Sequence, residues 1–113
     1  IHMNGREVFK HAVRRFKEVI LEGLDYNNLS VSDVDMVIPH QANYRISQTV
    51  QKQLDIDENK VFSNIHNYGN TTAASIGIAL SEALEQNKIK NGDIVVLASF
   101  GAGFQWGSVV IKW

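Results

Sequence analysis

The sequence predicts a mixed α/β fold, a sheet covered by helices, and three observations carry that prediction. Segments with helical spacing of apolar residues alternate with short, wholly apolar runs. The last two apolar runs are separated only by Gly101-Ala102-Gly103. A content of 44% apolar and 20% charged residues, with a single proline, is the balance of a chain that buries a core. At 113 residues, one domain is expected.

From Gly5 to Leu24 the residues Val8, Phe9, Ala12, Val13, Phe16, Val19, Ile20 and Leu24 recur at helical spacing, which predicts an amphipathic helix. Asn4 and Glu7 have the spacing of a capping box at its start. After the polar segment 25–32, the run Val34, Met36, Val37, Ile38 stops at Pro39 and reads as a buried strand that delivers His40 to its carboxyl end. From Ala42 a period of four returns through Ile46, Val50 and Leu54, leaving Arg45, Gln48, Gln51 and Lys52 for solvent.

Val61 and Phe62 follow an acidic loop and read as a short strand, and 64–70 is rich in turn-forming residues and reads as a loop. The alanine-rich stretch 71–86 predicts a largely buried helix, within which Gly77 implies close packing. Asn91-Gly92-Asp93 turns the chain into a strand over 94–100, and a hairpin returns it over 104–113. On that last strand Trp106, Val109, Ile111 and Trp113 read as core or interface residues.

Eleven Lys and Arg against twelve Asp and Glu give a formal charge of -1, so no global basic field points to nucleic acid. The absence of cysteine excludes disulfides, thiolate metal sites and a cysteine nucleophile within this chain. Four scattered histidines show no ligand spacing, and no metal is predicted. No apolar run reaches the roughly 20 residues that span a bilayer, and no signal peptide opens the sequence, so the cytoplasm is the expected location.

Three loops fall at strand ends, where open α/β sheets gather their ligands: 39–43, 67–71 and 100–104. By spacing alone a structural His40 and a chemical one both remain open. Read whole, Val37-Ile38-Pro39-His40-Gln41-Ala42-Asn43, then Gly69-Asn70-Thr71-Thr72-Ala73-Ala74-Ser75, then Phe100-Gly101-Ala102-Gly103-Phe104-Gln105-Trp106-Gly107-Ser108 resemble successive signatures of the β-ketoacyl-acyl-carrier-protein synthase III family. Asn4-Gly5-Arg6-Glu7-Val8-Phe9-Lys10 resembles the segment that opens the second half of the same enzymes. Thr72 stands where a serine is common, and Ala102 where a glycine is common.

The resemblance implies a thiolase-like fold, of which residues 1–113 form the second, C-terminal pseudo-repeat of a longer, dimeric enzyme. The absent first repeat would hold the nucleophilic cysteine, so this chain alone is expected to be inactive and to expose an apolar face. The family condenses an acyl group from acyl-coenzyme A with malonyl-acyl carrier protein, starting a fatty acid, and uses these thioesters as substrates with no other cofactor. His40 and Asn70 then fall at the catalytic histidine and asparagine, and the backbone of Ala102 at an oxyanion site. Gly5 and Asn43 fall along the pantetheine channel, and Arg45 at a carrier-protein docking position that Lys10 and Lys52 would extend. His66 and Asn67 are left as loop residues. Two rival expectations are a related quinolone- or polyketide-forming enzyme of the same fold, and a non-catalytic α/β binding module.

Overall fold

In the computed structural model, which describes residues 5–39, 44–62, 75–101 and 105–113, helix α1 runs over Gly5–Tyr26. Its buried side chains are Ala12, Val13, Phe16, Val19, Ile20 and Leu24, the spacing read from the sequence. The helix ends where Asn28 takes a left-handed φ of 57° and the Leu29 N–H returns to the Leu24 carbonyl at 2.9 Å. A 3-10 turn over Val31–Asp33 follows, with the Ser30 N–H donating to Asp33 Oδ2 at 2.8 Å.

Strand β1 is Met36–Pro39, two residues later than the predicted start, because Val34 closes the 3-10 turn through its N–H. Helix α2 is Tyr44–Gln53, helix α3 is Ser75–Glu85, strand β2 is Ile94–Gly101 and strand β3 is Gln105–Lys112. The sheet order is β1-β2-β3, with β1 parallel to β2 and β2 antiparallel to β3. Val61 adds an isolated parallel bridge to Val37, so the pair read as a short strand joins the free edge of β1.

Both faces of β1 are covered, which is why its run is apolar without alternation. Val37, with Val96 and Ala98 of β2, joins a core cluster built with α1 and α2. Met36 and Ile38, with Val95, join a second cluster with Ala79 and Ala83 of α3 and with Ile89. Two hydrogen bonds fix the amino end of this pairing: Asp35 N–H to the Ile94 carbonyl at 2.9 Å, and Ile94 N–H to Asp35 Oδ2 at 2.8 Å. Gly92 takes the φ of +90° that the turn requires, and donates to the Trp113 carbonyl at 2.8 Å, tying the hairpin's open end.

Three expectations are corrected. Gly77 is exposed and a Cβ there would meet nothing within 4 Å, so close packing is not its role among the described residues. Of the core-or-interface reading of the last strand, the core alternative is corrected at Val109 and Trp113, which are 56% and 39% exposed, while the interface alternative is untouched; the Trp106 side chain lies outside the description. Gln48 and Gln51 are half-buried where solvent was expected, the Gln51 amide donating to the Ile56 carbonyl. Asn4 of the capping box and the loop 64–70 lie outside the described residues, as do residues 71–74 of the third helix.

The tight contact between layers is at Gly23. A Cβ there would lie 2.6 Å from Ser108 Oγ and 3.2 Å from Val110 Cγ2, and Ser108 Oγ is itself committed, donating to the Val19 carbonyl at 2.6 Å. Alanine is the better helix former by about 1 kcal/mol, whereas overpacking costs about 1–3 kcal/mol. Gly23→Ala is therefore expected to lower unfolding free energy by about 1 kcal/mol in urea titration, and Ser108→Gly in the same chain to recover part of that loss.

Candidate active site

The sheet sends its candidate segments out at one end. Pro39, buried, closes β1 immediately before His40, and it pairs with Ala98, so β2 continues beyond it to Gly101 immediately before Ala102. On the other side of β1, Phe62 donates its N–H to the Val37 carbonyl at 3.0 Å and heads the segment that contains Asn70. Parallel pairing gives all three the same direction, so the chain leaves the sheet three times at the carboxyl end of β1. His40, Asn43, Asn70 and Ala102 themselves lie outside the described residues.

Of the predicted site residues, Gly5 and Arg45 are described. Gly5 is the first residue of α1, exposed, with open space where a Cβ would be. Arg45 lies exposed in the first turn of α2, which starts soon after the carboxyl end of β1. Its guanidinium carbon sits 5.1 Å from the centre of the Phe9 ring. Sequence spacing could not reveal that partner, because the two residues belong to separate helices. The contact brings the amino ends of α1 and α2 to one place beside the strand ends.

Between the same helices runs a groove of about 180 Å³ lined by Phe9, Lys10, Val13, Arg14, Lys17, Thr49 and Gln53. Its lining carries three cations and no carboxylate, in a chain whose formal charge is -1. Lys52, also on α2, is exposed. Among the described residues no three metal-ligating side chains cluster, and no helix is long and apolar enough to cross a membrane.

The family described as 3-oxoacyl-[acyl-carrier-protein (ACP)] synthase III C terminal matches residues 24–113. The chain belongs to this synthase III family. A β-ketoacyl-[acyl-carrier-protein] synthase III of Clostridioides difficile is 51% identical over the whole chain, and one of Roseiflexus castenholzii is 50% identical. The chain spans about a third of the length of these relatives, 34% in each case. The crystal structure of 3-oxoacyl-[acyl-carrier-protein] synthase III from Aquifex aeolicus superposes with a TM-score of 0.93 at 47% identity, covering all of this chain and 37% of that one. The synthase from Thermus thermophilus gives 0.92 at 44%, covering 99% and 35%. The fold is thus the thiolase-like α/β fold of the synthase III family. An OleA structure from Xanthomonas campestris, 23% identical with a TM-score of 0.86, shares the fold.

Phe62 is the anchor of the segment leading to Asn70: it is 9% exposed and belongs to the second core cluster. Truncating a buried phenylalanine costs about 3–5 kcal/mol. Phe62→Ala is expected to lose that much stability and, in hydrogen exchange, the protection that the Phe62 amide owes to Val37.

Proposed function

We propose that this chain is the C-terminal part of a cytoplasmic, homodimeric synthase III that condenses an acyl-coenzyme A starter with malonyl-acyl carrier protein, giving a 3-oxoacyl-acyl carrier protein and beginning a fatty acid. The observation that carries the proposal is the common exit of three segments at one sheet end: β1 before His40, β2 before Ala102, and Phe62 before the segment with Asn70. Relatives at about half identity that bear the synthase name support the same reaction.

The chemistry divides between the two halves of such an enzyme. A cysteine outside this chain takes the acyl group from coenzyme A, while the backbone N–H of Ala102, beside the cysteine's own N–H, holds the thioester oxygen. The malonyl group then loses carbon dioxide, and the electron pair left behind delocalises onto its thioester oxygen. A neutral imidazole N–H from His40 and the amide of Asn70 donate to that oxygen, stabilising charge where it develops. The resulting carbon nucleophile attacks the acyl-cysteine, and the thiolate leaves. Gly5, with no side chain, and Asn43 line the way in for the pantetheine arm, and Arg45 meets the acidic carrier protein. Without the cysteine the 113-residue chain alone has no condensing activity.

In the whole enzyme, His40→Ala and Asn70→Ala should each lower condensation by about 10²- to 10³-fold, with acyl transfer from coenzyme A to the enzyme partly retained. Single-turnover assays of each half-reaction separate the two. Unchanged condensation in His40→Ala would instead support a structural histidine in a binding module.

A further inference from the structure

We propose that Ser108 is a positioning residue for the turn that carries Ala102: its hydroxyl ties β3 to α1 at the last three-stranded row of the sheet, and so sets the depth at which the Ala102 N–H stands. This rests on the reading of Ala102 as an oxyanion donor and adds what holds that donor in place.

Ser108 pairs with Ala98, and Ala98 pairs with Pro39, the last residue of β1. Beyond that row β2 and β3 run on as a two-stranded ribbon, with Ser99 opposite Gly107, Phe100 opposite Trp106 and Gly101 opposite Gln105, and Ala102 follows at once. A two-stranded ribbon twists strongly and is marginal by itself, so its direction is set by the row from which it springs. Gly107, exposed and next to that row, adds no side chain to stiffen it. The three strands are not held alike there. Pro39 and Ala98 are buried, whereas among the described residues β3 has β2 along one edge and α1 over one face, and its other face is open at Val109. The tie across the covered face is the Ser108 hydroxyl, which donates to the Val19 carbonyl at 2.6 Å. Val19 is buried within α1, and the approach exists because Gly23 lacks a Cβ, which would lie 2.6 Å from Ser108 Oγ. About 10 Å of extended strand separates this tie from Gln105, where the turn ends. His40 instead follows β1, which both core clusters hold, so loosening β3 acts on the segment with Ala102 rather than on the one with His40.

The test compares two half-reactions of the whole enzyme. One is single-turnover transfer of the acyl group from acyl-coenzyme A to the cysteine, which uses the Ala102 N–H. The other is decarboxylation of malonyl-acyl carrier protein without acyl-coenzyme A, in which carbon dioxide leaves and the carbanion takes a proton from water; it uses His40 and Asn70. Ser108→Ala is expected to slow acyl transfer about five- to twentyfold, short of the loss from removing a donor outright, with decarboxylation within about twofold of wild type. Gly23→Ala pushes on the same hydroxyl and is expected to show the same split; adding it to Ser108→Ala should change little further, because both act on one contact. Thermal melting shows that each variant is folded. An equal fall in both half-reactions, or unchanged acyl transfer in Ser108→Ala with the 102–104 turn undisplaced in its crystal structure, overturns the positioning role while leaving the reaction. A displaced turn with unchanged acyl transfer overturns the reading of Ala102, and the proposal with it. Absence of any acyl-enzyme from the unaltered enzyme overturns the proposed function itself.

Discussion

The parallel pairing of β1 with β2 is the constraint on which the rest depends. Only four residues, Met36–Pro39, make up β1, yet each is buried and each is in register with a partner from Val95 to Ala98. A strand this short holds its register because a slip by one residue would move Val37 out of the α1 and α2 core and Met36 and Ile38 out of the α3 core. Asp35 adds a two-way hydrogen bond with Ile94 at the start of the pairing. Once that end is fixed, the far end is fixed too, and His40 and Ala102 follow strands whose relative height is set by backbone hydrogen bonds.

The helices serve the same end by different means. The close approach of α1 to β3 at Gly23 sets the depth of the first layer, and the shared cluster of Phe16, Ile20, Ile46 and Val50 locks α2 against α1. The amino ends of both helices consequently stand beside the strand ends. Lys10, Arg14 and Lys17 of α1 line the groove between the two helices, although the chain as a whole is slightly acidic.

Much of this was legible in the sequence because it follows from burial periodicity. The spacing Ala12, Val13, Phe16, Val19, Ile20 identified the buried face of α1, and the uninterrupted run before Pro39 identified a strand covered on both sides. The apolar runs before His40 and Ala102 also read as strands, and the structure describes those strands as Met36–Pro39 and Ile94–Gly101, while His40 and Ala102 themselves lie outside the described residues. What escaped were features set by contacts between distant segments. Gly77 read as a packing glycine, but the face it occupies is open in this chain, and the two-sided character of α3 reads the same whether or not something covers it. Gln51 read as solvent-facing because periodicity does not see the Ile56 carbonyl that its amide reaches. The Gly23 contact with Ser108 and the stacking of Arg45 on Phe9 each join segments whose proximity only the folded chain defines.

The proposed reaction requires His40 and Asn70 to converge on one oxygen, and the segments that contain them both follow the carboxyl end of β1. The most direct measurement is a crystal structure of the whole enzyme with a malonyl thioester analogue that resists decarboxylation. An imidazole nitrogen of His40 and the amide nitrogen of Asn70 are both expected within about 3.2 Å of the thioester oxygen. Finding either side chain turned away from that oxygen, with the analogue in place, would contradict it.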